Sequence, residues 1–257
     1  MSGKGLPTAQ QVEPLVELRQ VPKTACQLRV VFREKKHPSW EFFCYTACMI
    51  YLIGGSPRCG KTKVAKALAR KTHRPWFPAD YLGAVIYQYM SDEERKIKFP
   101  LSAIRDENPS NDYRYTTYTA QEIVEFYYVQ AESTWLGLEA FIKYAVHDGQ
   151  DFILEGYQIT PELLSQLDDD VINNIRPAFL YKSDIADIEA GIKKNTDPAD
   201  WLIKNTEDEG TYSKVAQMMK IFGERTRLDA ERYHVSVFNI DGNFDKKVEE
   251  VVSYLTK

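Results

Sequence analysis

Short apolar runs alternate with longer amphipathic stretches from residue 49 onward. We expect buried strands at 49–53, 76–80, 152–154, 178–181 and 235–240. Helical spacing of apolar residues predicts helices over 61–71, 81–96, 119–147, 161–167, 184–234 and 244–256. Thr160 is the expected N-cap of the fourth helix, and the fifth should break near Asn195–Asp200. Strands that alternate with helices predict right-handed crossovers and a mostly parallel sheet, so the fold class is α/β.

The N-terminal part follows a different pattern. Residues 1–25 contain prolines and glycines without periodicity, which is typical of a loop or of disorder. Residues 27–33 and 40–47 could pair as a hairpin. The pattern therefore predicts an N-terminal extension over residues 1–48, partly disordered or a hairpin, and a complete domain over residues 49–257.

Composition narrows the function classes. The 257 residues have a net charge of −4, and this lack of a basic excess argues against nucleic-acid binding. No apolar run reaches the ~18–20 residues that span a bilayer, and no secretory signal is evident. Cys44 and Cys48 could be metal ligands, but no second Cys/His pair follows at zinc spacing, so ordinary apolar packing is favoured. We expect a cytoplasmic protein, either a monomer or a homodimer.

Eight residues after the first apolar run match the phosphate-loop pattern G-x-x-x-x-G-K-[ST] in full. They are Gly55, Ser56, Pro57, Arg58, Cys59, Gly60, Lys61 and Thr62. Glycines let the backbone approach an anion closely, and successive N–H groups can then surround a phosphate at the start of the next helix. Lys61 supplies a cation for the β- and γ-phosphates, and Thr62 supplies a hydroxyl ligand for Mg²⁺. The loop therefore predicts binding of ATP with Mg²⁺; the Arg58 side chain could contact phosphate, although a solvated position is favoured.

Two carboxylates follow strands of the predicted sheet. Asp80 comes after the second strand, and Glu155 ends the strand expected beside the phosphate-loop strand. Ligands gather at this edge of an α/β sheet. We expect Asp80 to bind the acceptor hydroxyl or act as its general base and Glu155 to hold Mg²⁺, although the roles could be exchanged. The structural alternative for Asp80 is the N-cap of the following helix.

These motifs together resemble the P-loop small-molecule kinases, the superfamily of adenylate, shikimate and gluconate kinases. The segment Ile153-Leu154-Glu155-Gly156 with nearby Thr160-Pro161 is similar to 2-phosphoglycerate kinase-like proteins, and the domain also resembles zeta-toxin and chloramphenicol phosphotransferase-type proteins. The resemblance implies a three-layer sandwich around a five-stranded parallel sheet of order 2-3-1-4-5. It also implies a helical lid within residues 184–225 that lends arginines to the phosphate, and an approach of Asp241–Asn243 to the adenine. No R-x-x-x-R pattern occurs in the early lid, so Arg225 or Arg227 at its far end is the candidate cation, and a solvated helix face with i,i+4 pairs is the alternative.

The long segment between the two acids should cover the acceptor pocket. Arg105 and Arg114 flank a polar loop, Asp106 to Asp112, and could bind a carboxylate or phosphate of the acceptor. The alternative is a solvated loop. The pattern favours an enzyme that transfers the γ-phosphate of ATP to a hydroxyl of a small metabolite. A nucleoside or nucleotide kinase, or an ATPase switch that acts on a protein partner, remain as alternatives, and the absence of an N-K-x-D motif argues against GTP.

Overall fold

The computed structural model describes residues 48–195, 197 and 200–257, together with the backbone of residues 28–29 and 45–46. The chain divides into two units, residues 1–46 and residues 47–257. In the first unit, strands β1 (Leu28–Arg29) and β2 (Tyr45–Thr46) pair antiparallel. These strands lie within the two segments for which the sequence suggests a hairpin, and the remainder of both segments lies outside the described residues.

Five parallel strands form the sheet of the second unit. They are β3 (Ile50–Gly55), β4 (Trp76–Pro78), β5 (Phe152–Glu155), β6 (Ile175–Tyr181) and β7 (Val237–Asn239). Their order across the sheet is β4-β5-β3-β6-β7, so the predicted order 2-3-1-4-5 is confirmed. Every residue of the central strand β3 is buried, as expected for a parallel strand that is covered on both faces.

Helices cover both faces of this sheet and extend beyond it. In chain order they are α1 (Lys61–Thr72), α2 (Ala79–Gln88), α3 (Asp92–Lys98), α4 (Pro100–Glu107), α5 (Asn111–Thr117), α6 (Ala120–His147), α7 (Pro161–Leu164), α8 (Asp169–Ile172), α9 (Ile185–Lys194), α10 (Trp201–Lys204), α11 (Gly210–Arg232) and α12 (Phe244–Leu255). Successive residues of β3 point to opposite faces: Leu52 packs in a core with α6, whereas Ile53 packs in a core with α1 and α12. The result is the predicted three-layer sandwich.

A third apolar core lies among the helices. Tyr115 of α5, Ile123 and Tyr128 of α6, and Met218 and Phe222 of α11 are buried together. Because α11 packs here with α5 and α6, most of it belongs to the body of the domain. Of the predicted lid segment, it is the part around α9 and α10 that faces the cleft described below.

Two predicted boundaries differ from the structure between β4 and α6. The helix predicted over 81–96 is interrupted, because Ser91 caps a new helix in a capping box with Glu94. The predicted polar loop 106–112 is mostly helical, since α4 continues to Glu107 and Ser110 caps α5. The expected break near 195–200 and the Thr160 N-cap are both present.

Tight packing around Gly54 near the end of β3 leaves no space for a side chain, so a substitution there should lower the free energy of unfolding. A Cβ atom at Gly54 would lie 2.3 Å from the Ile159 carbonyl oxygen and 2.5 Å from the Phe179 ring. We expect Gly54→Ala to lower the free energy of unfolding by about 1–3 kcal/mol. In the control Gly191→Ala on α9, nothing lies within 4 Å of the new Cβ, so stability should be unchanged or rise by up to ~1 kcal/mol. Urea unfolding followed by circular dichroism measures both, and equal effects would contradict the packing argument.

Candidate functional site

The turn between β3 and α1 requires glycine at its two fixed positions. Gly55 and Gly60 have φ angles of 128° and 98°, which side-chain-bearing residues rarely adopt. A Cβ atom on Gly55 would lie 2.0 Å from the Leu180 carbonyl oxygen, and one on Gly60 would lie 2.6 Å from the Phe244 ring. The turn is therefore pressed between β6 and α12 and has little freedom to change shape.

This turn leaves several donors available to an anion. In the described part of the chain, the backbone N–H groups of Arg58, Gly60 and Thr62 have no hydrogen-bond partner. The Lys61 ammonium donates to the Ser56 carbonyl oxygen at 2.7 Å and is 8% exposed. The remaining two protons of the ammonium group are available, as is the start of α1 with its partial positive charge. The arrangement suits a bound phosphate group.

Thr62 and Glu155 place two oxygen donors beside the turn. The Thr62 hydroxyl donates to Glu155 Oε1 at 2.8 Å, and the register of β3 with β5 sets Ile53 opposite Glu155. Burial raises the pKa of Glu155, although the charge of Lys61 and the Thr62 hydrogen bond act in the opposite direction. A hydroxyl and a carboxylate are the hard oxygen ligands that Mg²⁺ prefers, so the pair fits Mg²⁺ held jointly with phosphate oxygens.

No other metal site emerges from the described residues. They contain no group of three or more His, Cys, Asp and Glu residues that could hold a metal ion without further ligands. Cys44 lies outside the described residues, and the buried Cys48 directs its thiol at the Val146 carbonyl oxygen at 3.6 Å. Cys59 is fully buried in the core with α1, where burial raises the pKa of its thiol.

Asp80 lies in the first turn of α2, two residues after Pro78, which ends β4 and is the N-cap of α2. Its carboxylate is not the helix N-cap, so the structural alternative for this residue is wrong. Gln158 Nε2 donates to Asp80 Oδ1 at 2.8 Å. Gly156 makes room for this contact, because a Cβ atom there would lie 2.3 Å from Gln158 Oε1. Asp80 is thus an exposed carboxylate held in orientation by a buried amide.

A single cleft of about 1440 Å³ joins these groups. Its lining includes the phosphate-loop residues Arg58, Lys61 and Thr62, both acids, Asp80 and Glu155, and the two arginines Arg105 and Arg114. Gly242 and Asn243, expected near the adenine, also line it. Asp241 instead accepts hydrogen bonds from the backbone and hydroxyl of Ser183 and from the Asp184 N–H.

Arg114 is the least satisfied charge in this cleft. It is 6% exposed, and in the described residues no hydrogen bond or ion pair engages its guanidinium; its Nε is buried without a partner. Arg105, by contrast, is exposed. Burial raises the pKa of Tyr127; the positive charges of Arg114 and Arg105 act in the opposite direction, and the charge of Asp80 acts in the same direction as burial. A buried guanidinium without a partner is costly, and an anionic ligand would remove the cost.

The structure does not bring Arg225 and Arg227 to the cleft. Arg225 stacks on Tyr128 at 3.6 Å from the ring centroid and pairs with Glu125 at 2.8 Å. Arg227 pairs with Glu231 at 2.7 Å on the same helix. The expectation that either is the lid cation is wrong for this arrangement, because α11 packs against α6 and not over the phosphate loop.

Several features of the cleft lining were not predicted from the sequence. The solvated position that the sequence favoured for Arg58 is wrong, because its side chain pairs with Asp200. Lys182, after β6, is 8% exposed and pairs with Asp187. Gln158 was not predicted as a residue of the cleft. Its position three residues after Glu155, at the end of a predicted strand, is the local signal that could have identified it.

Comparisons with known proteins found similarity to solved structures alone, at low identity. A scan against protein-family models and a search of the curated proteins both found no match. Similar solved structures include a gluconokinase from Sinorhizobium meliloti 1021, with 14% identity, coverage of 82% of this chain and 92% of that chain, and a TM-score of 0.43. For a shikimate kinase from Bacteroides thetaiotaomicron, the identity is 13%, the match covers 81% of this chain and 99% of that chain, and the TM-score is 0.44. For a shikimate kinase from Acinetobacter baumannii, solved with shikimate, the identity is 18%, the match covers 82% of this chain and 94% of that chain, and the TM-score is 0.39.

The fold assignment itself rests on the strand order and the phosphate loop. No helix in the described part of the chain combines the length and apolar character needed to cross a membrane.

Because the buried guanidinium of Arg114 has no partner among the described residues, we expect its removal to stabilise the fold. We expect Arg114→Met to raise the free energy of unfolding by about 1 kcal/mol or more, because a buried charge is replaced by an apolar side chain of similar length. The control Arg225→Met removes a paired and stacked guanidinium, so it should lower stability by about 1–2 kcal/mol. Urea unfolding of the ligand-free protein measures both. A loss of stability in Arg114→Met would show that Arg114 is a structural residue.

Proposed function

We propose that this chain is an ATP-dependent phosphotransferase that moves the γ-phosphate of ATP to a hydroxyl of a small metabolite. The observation that carries the proposal is the meeting of three groups in one cleft: the open donors of the phosphate loop, the Thr62–Glu155 pair and the exposed carboxylate of Asp80. Phosphoryl transfer needs little covalent chemistry from a protein and depends mainly on positioning and on charge stabilisation. The cleft offers groups for both tasks.

The phosphate end of ATP would lie in the turn between β3 and α1. The unpaired N–H groups of the turn and the Lys61 ammonium would bind the β- and γ-phosphates, since the ammonium already contacts the turn at the Ser56 carbonyl oxygen. Bound Mg²⁺ would supply charge neutralisation for the phosphates, with Thr62 and Glu155 as the residues that would hold it. Gly242 and Asn243 would then lie toward the adenine end of the same cleft.

Asp80 would orient the acceptor and take its proton. Gln158 holds one carboxylate oxygen at 2.8 Å and leaves the other oxygen for the acceptor hydroxyl. In transfer, the acceptor oxygen forms a bond to the γ-phosphorus and the bond to the β,γ-bridging oxygen breaks. The electron pair of the broken bond remains on ADP, and the hydroxyl proton passes to Asp80.

Arg114 favours an acceptor that carries negative charge. A neutral sugar or nucleoside would leave this buried guanidinium without a counter-charge, whereas a carboxylate or phosphate group would satisfy it with paired hydrogen bonds. The exposed Arg105 would add a second, weaker attraction at the cleft entrance. We therefore place hydroxy acids and phosphorylated polyols first among the acceptors to test.

Asp80→Asn provides the test of the proposed transfer. The protein is screened for ADP formation with hydroxy acids, phosphorylated polyols, sugars, nucleosides, and aminoglycoside-like or chloramphenicol-like compounds. With an acceptor that responds, Asp80→Asn should lower kcat by about 10²–10⁴-fold while the KM for ATP stays unchanged, because proton transfer is lost and the phosphate loop is intact.

The matched control is Asp170→Asn, an exposed aspartate of α8 that does not line the cleft. It should keep full activity. Near-normal turnover of Asp80→Asn would refute the role of Asp80, and ADP formation that needs no acceptor but requires a protein partner would favour the ATPase switch.

A further inference from the structure

Arg58 of the phosphate loop is tied to a distant part of the chain. Its Nη1 lies 2.5 Å from Asp200 Oδ1 and 2.6 Å from Oδ2, although the two residues are 142 positions apart. The two side chains are 13% and 18% exposed, so solvent screens this pair less than it screens a surface pair. The contact joins the phosphate loop to the start of α10.

The Asp200 carboxylate is fixed from its own side of the contact. Oδ1 accepts the N–H of Leu202 at 3.0 Å as the N-cap of α10, and Oδ2 accepts Asn195 Nδ2 at 2.8 Å. Helix α10 is in turn anchored to α5. Asn111 Nδ2 donates to the Trp201 carbonyl oxygen at 3.1 Å, and the Asn111 N–H donates to that of Asn205 at 2.8 Å. Both oxygens of the Asp200 carboxylate therefore have a hydrogen-bond partner in addition to Arg58, which fixes the orientation of the carboxylate.

Arg58 keeps most of its donors for another partner. Only Nη1 is engaged; in the described residues Nε and Nη2 have no partner, and the side chain lines the cleft together with Lys61. Its φ of 60° is a left-handed conformation, which is unfavourable for a non-glycine residue and persists only where the surroundings impose it. The backbone and the ion pair together aim a partly unsatisfied guanidinium into the cleft.

The cleft also needs a cation in this position. Transferring phosphate carries charge that a single lysine neutralises incompletely, and arginine is well suited to it because its planar fork matches phosphate oxygens. Arg225 and Arg227 are engaged elsewhere, and Lys182 is paired with Asp187. Arg58 is the arginine that belongs to the phosphate loop itself.

We propose that Arg58 is the catalytic cation that neutralises the γ-phosphoryl group during transfer and that Asp200 is its positioning residue. This inference rests on the proposed function. Nη1 stays on Asp200 while Nε and Nη2 donate to phosphoryl oxygens, and no bond of Arg58 is made or broken in the step. Two residues thus share the function of a lid arginine. Arg58 supplies the positive charge, and Asp200, the N-cap of α10, holds the guanidinium in place.

The test uses MgATP with water as the acceptor, so it does not depend on the natural acceptor. Single-turnover hydrolysis gives the rate of the chemical step, and calorimetry gives the Kd for MgATP. We expect Arg58→Ala to lower the hydrolysis rate by about 100-fold or more with a much smaller change in Kd. Added guanidinium ion should restore part of the rate in this variant and none in the wild type.

Asp200→Asn tests the positioning role. It keeps an oxygen for the Leu202 N–H and so preserves the N-cap, but it removes the charge that holds Arg58. We expect the rate to fall by about tenfold, as for other residues that act through a neighbour, with Asp200→Glu recovering part of it. The control is Asp208→Asn, whose carboxylate accepts the Gly210 N–H and does not line the cleft; it should be unchanged.

The outcomes separate the two proposals. A wild type that does not bind MgATP contradicts the proposed function and this inference with it. Binding of MgATP without any hydrolysis overturns this inference alone, because a cation already held at the γ-phosphoryl group should support transfer to water. A wild type that hydrolyses ATP with unchanged rates in Arg58→Ala or Asp200→Asn overturns the inference alone. A faster rate or tighter MgATP binding in Asp200→Asn also overturns it, because Asp200 would then compete with phosphate for Arg58.

Discussion

The structure depends on a short turn of backbone that has almost no freedom. Gly55 and Gly60 are held against the Leu180 carbonyl group and the Phe244 ring, so the turn can neither relax nor accept a side chain at these positions. Among the described residues, the N–H groups of Arg58, Gly60 and Thr62 have no partner, and the Lys61 ammonium donates to the Ser56 carbonyl oxygen. This arrangement keeps unsatisfied donors together at the start of a helix, and an anion is the ligand that such donors attract.

The other groups of the cleft are placed by the sheet. Because parallel strands end at the same edge, Glu155 meets Thr62 beside the turn, and Asp80 follows the next strand at the start of α2. Glycine at 156 lets Gln158 reach Asp80. Helix α5 contributes Arg114 to the cleft, and its Asn111 donates to the Trp201 carbonyl oxygen of α10. The same helix therefore positions both Arg114 and the start of α10, where Asp200 pairs with Arg58.

Local patterns predicted much of this arrangement and failed where contacts are long-range. The order of the strands was expected from the resemblance to P-loop kinases, whereas the five apolar runs suffice for the positions of the strands and for a mostly parallel sheet. They also suffice for Asp80 and Glu155, because strand ends can be located from the sequence. The Arg58–Asp200 pair joins residues 142 positions apart, and no local pattern contains it. Arg225 was misassigned for the same reason: its charge suited the lid, but its helix packs on Tyr128 of α6. The helices α4 and α5 were missed because they are only 8 and 7 residues long, too short to show a clear apolar periodicity.

The central claim is that the turn between β3 and α1 binds the triphosphate of ATP. Calorimetric titration of MgATP into the wild type and into Lys61→Ala measures it most directly. The account predicts a single saturable site in the wild type that is lost or weakened by at least about 10-fold without the ammonium group. A wild type that takes up no nucleotide, or a Lys61→Ala variant that binds it equally well, would contradict the account.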